Sequence, residues 1–279
     1  MTQMAIVTGG ASGIGKAVGA ALAGRGVDVI LADIDADAAK LAAESLTEPG
    51  DGRVSGIELD VRDAAAVNDV IEEAVDRHGR IDFLFNNAGT GVGGPVEMMQ
   101  VAHWDRVIDV NLRGVVHGVQ AAYPVMVRQG FGHIVNTASL AGLTASPGIV
   151  PYATTKWAVV GLSLSLRGEA VEHGVNVSAV CPSFMDTPLL DRRNPVDLPP
   201  VQSAAPDMRS VAGRIGLRIH SPDRLAQDIL RGMDRNKALI VAPRDARMLW
   251  RVARWAPGLS LRLSQANHRK MRRLAEELS

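Results

Sequence analysis

Short apolar runs alternate with helix-like stretches along most of the chain. Runs rich in Val, Ile and Leu recur at residues 4–7, 27–33, 53–61, 81–89, 132–139, 174–182 and 238–243. The segments between them, such as 15–25 and 36–46, carry Ala and Leu at helical spacing. Strands that are apolar throughout are typical of a parallel sheet, because helices cover both of its faces. The pattern therefore predicts an α/β fold, a doubly wound parallel sheet with right-handed helical crossovers.

Residues 186–219 interrupt this alternation with prolines, charges and isolated apolar side chains. Long segments of this kind commonly act as lids over a site, and a plain surface loop is the alternative. Ser221 and Pro222 then offer a cap and a first-turn proline for a helix that runs through Gly232. We divide the chain into one domain over residues 1–245 and a C-terminal extension over residues 246–279.

Composition narrows the class of protein. With 47% apolar and 22% charged residues, the chain is typical of a globular domain. Thirty basic and thirty acidic side chains cancel, so no global field favours a nucleic-acid partner. A single cysteine, Cys181, excludes an intramolecular disulfide, and the seven histidines lack metal-ligand spacing, so we assign no metal. Because no signal core or long apolar span is found, we expect a cytoplasmic protein.

The segment TGGASGIG follows the first apolar run directly. Its glycines, Gly9, Gly13 and Gly15, let a backbone turn approach a pyrophosphate, while the N-terminus of the next helix faces the phosphate oxygens. Asp33 ends the second run, twenty residues beyond Gly13. A carboxylate there can accept hydrogen bonds from ribose hydroxyls and repel the 2′-phosphate of NADP. The two features predict a dinucleotide site that prefers NAD.

A second glycine pattern, G-x-G-x-x-G at Gly89, Gly91 and Gly94, lies after the fourth run. It falls outside the first β-α-β unit and is followed by Pro95. A match in that position is weak support for phosphate binding. We interpret it as a flexible loop near the site.

Tyr152 and Lys156 stand four residues apart in a helical segment, so their side chains share one helix face. A phenol with its ordinary pKa of about 10 is a poor proton donor or acceptor at neutral pH. A neighbouring ammonium favours the phenolate and lowers that pKa. The pair therefore suits acid and base chemistry on an alcohol or a carbonyl.

Six motifs in order give the chain a resemblance to the short-chain dehydrogenase/reductase family, NAD(P)-dependent oxidoreductases with a Rossmann fold. The resemblance extends from residue 4 to about residue 245. The motifs are TGGASGIG, LDV at 59–61, NNAG at 86–89, DVNL around Asn111, IVNTAS ending at Ser139, and YATTK at 152–156.

The resemblance implies roles for four catalytic residues. Tyr152 is the acid/base, Ser139 orients the substrate oxygen, Lys156 holds the nicotinamide ribose and lowers the tyrosine pKa, and Asn111 supports a water chain. Hydride would then pass between the nicotinamide and the carbon of an alcohol or ketone. Relatives are commonly dimers or tetramers, so a homo-oligomer is expected.

The resemblance also implies a set of cofactor contacts. They are Gly9, Ser12, Gly13, Ile14, Gly15, Asp33, Ile34, Asp60, Val61, Asn87, Ala88, Gly89, Tyr152, Lys156, Pro182 and Thr187. Ser12 again points to NAD, since many NADP-preferring relatives carry a basic residue there. The chain departs from the family at Ser183, where a glycine usually follows the proline.

Two other classes of function fit the same residues less well. An α/β-hydrolase needs a G-x-S-x-G elbow, which the sequence lacks. A non-catalytic dinucleotide sensor or scaffold has no need of the four catalytic side chains, so we favour an enzyme. Apolar residues of the candidate pocket predict a small hydrophobic alcohol or ketone as substrate; they are Val92, Phe184, Met185, Leu189 and Leu190.

The C-terminal extension is basic and carries tryptophans. Between Arg244 and Arg273 there are nine Lys or Arg residues against one acid, Asp245. Pro257-Gly258 is expected to split the stretch into two helices. Two interpretations stay open: peripheral contact with an anionic membrane, or packing of the apolar stripe on the domain or on another subunit. In a further hypothesis, the extension and residues 186–219 together cover an apolar substrate pocket.

Overall fold

The computed structural model describes residues 2–46, 50–191, 194–201, 209 and 218–276. Within them, seven strands form one parallel sheet in the order β3-β2-β1-β4-β5-β6-β7. The strands are β1 Met4–Thr8, β2 Asp28–Asp33, β3 Val54–Glu58, β4 Phe83–Asn86, β5 Gly132–Thr137, β6 Val175–Pro182 and β7 Leu239–Ala242. The predicted doubly wound sheet is confirmed.

Helices connect the strands. They are α1 Gly13–Ala23, α2 Ala36–Glu44, α3 Ala64–His78, α4 Val101–Ile108, α5 Gly114–Gln129, α6 Val150–Ala170, α7 Pro188–Asp191, α8 Pro222–Asp234, α9 Arg244–Trp255 and α10 Pro257–Glu276. Apolar side chains of α1, α2 and α8 pack on one face of the sheet, and those of α3, α5 and α6 pack on the other. Burial on both faces explains why the strands are apolar throughout.

The strand order places a crevice between β1 and β4. From β1 the chain moves outward to β2 and β3, then returns to β4 on the other side of β1. The connections that leave the carboxyl ends of β1 and β4 therefore diverge, which is where ligands bind in open parallel sheets. The glycine-rich turn follows β1, and Asn87 follows β4.

The described part of segment 186–219 packs on the loop after β4 and on α4. The side-chain amide of Asn194 accepts a hydrogen bond from the Gly93 N–H at 2.8 Å and donates to the Gly93 carbonyl at 3.0 Å. His103 Nε2 lies 2.9 Å from the Pro199 carbonyl oxygen. Residues 192–193, 202–208 and 210–217 lie outside the described residues, so the lid itself stays a prediction.

The C-terminal region agrees with the sequence pattern. Ser221 caps α8, accepting a hydrogen bond from the Asp223 N–H at 3.2 Å. The extension forms α9 and α10, which are separated at Ala256, one residue before the proline that was expected to divide them. In the described part of the chain, no helix is long and apolar enough to cross a membrane.

A buried histidine in β5 makes the stability pH-dependent. His133 is 5% exposed, and its Nε2 lies 2.8 Å from the hydroxyl of Ser178, which itself donates to the Lys237 carbonyl. Because that hydroxyl already gives its proton to the carbonyl, it accepts a hydrogen bond from Nε2–H of neutral His133. Burial lowers the pKa of His133 from 6.5 to about 4.

We therefore expect the protein to lose stability as the pH falls through the window between these two values. The unfolded chain binds the proton near pH 6.5 and the folded chain only near pH 4, so His133 contributes a loss of about 2 kcal/mol by pH 5. Chemical unfolding at pH 7 and pH 5 measures it. His133→Gln should show a smaller loss, whereas exposed His173→Gln should behave as wild type. Equal losses in the His133 variant and wild type would contradict the assignment.

Candidate active site

The turn between β1 and α1 requires glycine at three positions. Gly9 and Gly13 adopt positive φ angles of 64° and 52°. A Cβ atom on Gly13 would lie 2.8 Å from Cγ2 of Thr187, and one on Gly15 would lie 2.1 Å from the Gly9 carbonyl oxygen. Since neither overlap leaves room for a side chain, the backbone itself lines the crevice. The close approach of Gly13 to Thr187 places the segment after β6 against the first turn of α1.

A threonine at the end of β1 joins this turn to β4. The Thr8 hydroxyl accepts hydrogen bonds from the N–H groups of Asn87 and Ala88, each at 3.0 Å. The Asn87 side chain donates to the Thr8 carbonyl at 3.0 Å and accepts from the Thr137 hydroxyl at 3.1 Å. The carboxyl ends of β1, β4 and β5 are thereby fixed together. Sequence reasoning assigned no role to Thr8, although it is the first letter of the quoted motif.

Asp33 lies beside the glycine-rich turn. One carboxylate oxygen accepts a hydrogen bond from the Ala11 N–H at 3.0 Å, and the other accepts from the Asp35 N–H at 3.3 Å. These bonds hold the carboxylate at the carboxyl end of β2, next to the turn. The two sequence features proposed for the dinucleotide are therefore adjacent.

The remaining predicted adenine-side residues have varied surroundings. Asp60 is held by Arg62, whose Nε lies 2.9 Å from each carboxylate oxygen, and this hydrogen bonding lowers the pKa of Asp60. Val61 is buried, and its carbonyl oxygen lies 2.9 Å from Nδ1 of His117. Ile34 is 61% exposed. The Asp60 carboxylate is thus already paired within the protein.

Two further predicted contacts are at the first turn of α1. Ser12 is the N-cap residue of α1, and its side chain is exposed and makes no capping bond. Ile14 packs partly against the apolar core beneath the turn. The backbone N–H groups of the first turn are thus not capped by the Ser12 side chain.

Asn111 is fully buried where α4 and α5 meet. A π-helical turn, Asp109–Arg113, joins these helices, and such turns are frequent at functional sites. The Asn111 side chain accepts from the Thr90 N–H at 2.8 Å and donates to the Thr90 carbonyl at 2.9 Å. A second donation, at 3.4 Å, reaches the Thr155 hydroxyl. Asn111 therefore ties the glycine loop after β4 to α6.

Ser139, Tyr152 and Lys156 converge at the carboxyl end of β5. Ser139 follows β5, and its hydroxyl accepts from the Ala141 N–H at 3.1 Å and hydrogen-bonds to Tyr152. Lys156 is 3% exposed; its Nζ donates to the Thr137 carbonyl at 2.7 Å and lies 5.5 Å from the Tyr152 ring centroid. The helical spacing of tyrosine and lysine therefore does place both side chains beside the serine.

Burial is the largest influence on the pKa values of Tyr152 and Lys156. It raises the pKa of the Tyr152 phenol, an effect that the hydrogen bond with Ser139 partly offsets. It lowers the pKa of Lys156 to about 8, so the ammonium persists at pH 7. The net pKa of the phenol is raised, because the cost of burying a charge outweighs the other influences on it. Tyr152 is therefore a neutral proton donor at neutral pH. The lowering expected from Lys156 stays a prediction.

Cys181 lies beneath the same group. Its thiol is fully buried, and burial raises its pKa to about 12. A thiol with that pKa stays neutral and is a poor nucleophile. The sequence-based interpretation of Cys181 as a small core residue is confirmed.

The crevice fits a nicotinamide dinucleotide. Its glycine-rich turn presents backbone where side chains would collide, as a pyrophosphate requires. Among the described side chains, Ser183 Oγ is the one buried oxygen with no hydrogen-bond partner, and it lies directly after β6, between Pro182 and Thr187. An unpartnered hydroxyl there is available to a bound polar group. In the described residues, no group of three His, Cys, Asp or Glu side chains could hold a metal ion.

Comparisons with known proteins agree with this geometry. Residues 3–197 match a family model described as "short chain dehydrogenase". A 3-oxoacyl-(acyl-carrier-protein) reductase of Thermotoga maritima is 36% identical over 231 residues, which cover 82% of this chain and 89% of that protein.

Two solved structures have the same fold. A short-chain dehydrogenase/reductase of Burkholderia phymatum, in complex with NAD, has a TM-score of 0.82 and 30% identity over 92% of this chain and 95% of its own. A short-chain dehydrogenase of Sphingobium yanoikuyae, in complex with NADPH, has a TM-score of 0.74 and 26% identity over 95% of both chains. The two complexes hold different nicotinamide cofactors.

Proposed function

Because the chain belongs to the short-chain dehydrogenase/reductase family of nicotinamide-dependent oxidoreductases, we propose that it transfers a hydride between NAD and a hydrophobic secondary alcohol or ketone. The observation that carries the proposal is the convergence of Ser139, Tyr152 and Lys156 beside the glycine-rich turn. A nicotinamide cofactor, when bound, supplies or accepts the hydride. The protein's own residues must then position the substrate and move one proton.

Tyr152 is proposed to handle that proton. In reduction, its neutral phenol donates the proton to the carbonyl oxygen of the substrate; in oxidation, the deprotonated oxygen takes the proton of the alcohol. The hydroxyl of Ser139, already hydrogen-bonded to Tyr152, orients the same substrate oxygen. Lys156 supplies a positive charge near the phenol and is proposed to hold the nicotinamide ribose.

Asn111 is proposed as a positioning residue for proton supply. Its amide is engaged by Thr90 and Thr155, and the Thr155 hydroxyl in turn donates to the Tyr152 carbonyl at 2.7 Å. It therefore holds the backbone of the catalytic turn of α6 against the glycine loop. A water chain to solvent would start at this junction.

The substrate side of the crevice supports an apolar ligand. Leu189 lies over the glycine loop, since a Cβ atom on Gly91 would be 3.3 Å from its Cδ1, and it is 39% exposed. Met185 is buried in the core between the sheet and helices α1, α2 and α8, and its backbone pairs with His220. We therefore remove it from the candidate pocket. Val92 is buried, with 2% exposure. The candidates that stay at least partly exposed to contact substrate are Leu189 and its neighbours Phe184 and Leu190.

The NAD preference rests on the charge of Asp33. A carboxylate held beside the turn repels the 2′-phosphate of NADP and accepts hydrogen bonds from the ribose hydroxyls of NAD. Asp33→Asn removes the charge and keeps one oxygen for the Ala11 N–H. We expect this variant to shift the ratio of NADPH to NADH affinity by about tenfold, or about 1.4 kcal/mol, toward NADPH. Parallel fluorescence titrations of the two nucleotides measure the shift.

Asp37→Ala is the matched control for Asp33→Asn. Asp37 is an exposed acid in the first turn of α2, so its removal changes the net charge equally without touching the turn. Its nucleotide preference should be that of wild type. Equal binding of NADH and NADPH by the wild-type protein would refute the proposed role of Asp33, and binding of neither would remove the dinucleotide site altogether.

A further inference from the structure

The helix α9 presents a mixed basic and apolar face to solvent. Ala246 is fully buried, and Trp250 packs against the core, which fixes the inner side of the helix. Met248 and Trp255 project from the opposite side, where they are 64% and 83% exposed. Arg251 lies between them at helical spacing and is exposed too. A large aromatic side chain in water next to an unpaired cation is unusual for a surface that only faces solvent.

The helix α10 repeats this arrangement. Its inner side is anchored by Ser264, whose hydroxyl donates to the Ala145 carbonyl at 2.9 Å. Leu259 and Leu263 are on the other side, where they are 53% and 50% exposed. Arg262 is three residues beyond Leu259, and Arg269 and Lys270 follow further along the helix; all three side chains are exposed.

The two helices are strongly basic. Between residues 244 and 273, nine Lys or Arg residues accompany a single acid, Asp245, which lies 3.0 Å from Nε2 of His220. Of the arginines and lysines whose side chains the structure describes there, none forms an ion pair with a carboxylate. Because the whole chain has equal numbers of basic and acidic residues, the rest of it is net negative. Electrostatic attraction to an anionic surface would therefore favour this face of the molecule.

We propose that α9 and α10 bind the surface of an anionic lipid bilayer. Cations adsorb to anionic headgroups, while Trp255 and the exposed Leu and Met side chains enter the boundary between headgroups and acyl chains. A nucleic acid would neutralise the arginines but leave these apolar side chains in water. A two-fold contact with a second copy would bring the basic faces together, which like charges oppose.

The inner side of α10, opposite the proposed lipid-binding face, lies next to the helix that carries Tyr152. A groove of about 490 Å³ separates α10 from the start of α6, and its lining includes Val150, Ala153, Trp157 and Leu261. Tyr152 belongs to the same turn of α6. Delivery of a lipophilic substrate from the bilayer follows only if the proposed function holds, whereas lipid binding does not depend on it.

The test is co-sedimentation of the full-length protein with vesicles. Vesicles of equal parts phosphatidylglycerol and phosphatidylcholine should bind it at least about tenfold more than pure phosphatidylcholine, and high salt should remove the difference. The double variant Arg251→Glu/Arg254→Glu should lose about tenfold or more of this binding. Lys40→Glu/Arg224→Glu, which reverses two exposed charges on α2 and α8 instead, should bind as wild type.

Tryptophan emission gives a second readout that needs no catalysis. Emission should shift to the blue on addition of the anionic vesicles, and Trp255→Phe should lose most of that shift. Equal binding to both kinds of vesicle would overturn the proposal. The proposal would also be overturned if the α9 variants bound vesicles as wild type does but changed the oligomeric state of the protein or its retention by RNA. Intact nucleotide binding in every variant separates these outcomes from failure of the proposed function.

Discussion

Tyr152→Phe should reduce the turnover number by about 10³-fold, because the variant has no group that can exchange a proton with the substrate oxygen. The phenylalanine ring still fills the space of the tyrosine ring, and only the hydrogen bond between the hydroxyl and Ser139 is lost. We therefore expect the free energy of unfolding to change by no more than about 1 kcal/mol, and NADH affinity by less than about threefold. Stopped-flow or steady-state reduction of a hydrophobic ketone, with nucleotide titration and chemical unfolding in parallel, separates these effects.

The chain offers a matched control in its one other tyrosine. Tyr123 is partly buried in α5, packs against the core, and has its pKa raised by burial, as Tyr152 does. Tyr123→Phe should keep wild-type turnover. Should Tyr152→Phe also keep it, the hydride transfer would not use this site. A protein that binds nucleotide with and without the hydroxyl, and turns over no ketone or alcohol in either form, would instead be the non-catalytic sensor.

The rates of oxidation and reduction should depend on pH in different ways. Burial raises the pKa of Tyr152, so at neutral pH the phenol is in the form that donates to a carbonyl. Oxidation needs the deprotonated form and should become faster as the pH rises, whereas reduction should not. The residual oxidation rate of Tyr152→Phe should lack this rise.

Sequence patterns predicted the parts of the fold that follow from local rules. Apolar runs gave the strands, and the glycine-rich turn followed by Asp33 gave the dinucleotide crevice, since each depends on residues close together in the chain. Thr8 was missed because its partners, Asn87 and Ala88, are 79 and 80 residues away. No local pattern predicts a hydrogen bond between two strand ends before the strand order is known.

The proposed catalytic pair, Tyr152 and Lys156, shows a second limit of prediction from sequence. Helical spacing correctly brought Tyr152 and Lys156 to one face, but it carried no information on their burial. The structure places the lysine 3% exposed and bonded to the Thr137 carbonyl, and burial then decides the direction of both pKa shifts. Spacing alone therefore could not show that burial raises the net pKa of the tyrosine.

Gly15→Ala should weaken binding of NADH by about 100-fold, or about 2.7 kcal/mol. The added Cβ would lie 2.1 Å from the Gly9 carbonyl oxygen. This overlap is too severe for small local shifts to relieve, so the backbone of the turn must move. The backbone N–H groups of the turn then move away from the positions in which they meet a pyrophosphate. The same overlap should lower the free energy of unfolding by about 1–3 kcal/mol. Titration calorimetry and chemical unfolding of the purified variant measure the two effects.

Gly24→Ala tests whether the effect of Gly15→Ala comes from the turn or from any alanine in this helix. Gly24 is the C-cap residue of α1, has an ordinary right-handed backbone, and would place its Cβ 3.5 Å from the Ala20 carbonyl oxygen. Because that contact is normal and alanine restricts the unfolded chain, stability should rise by about 0.4–1 kcal/mol with NADH affinity unchanged. If instead both variants bound NADH as wild type does, the turn between β1 and α1 would not be where the pyrophosphate lies.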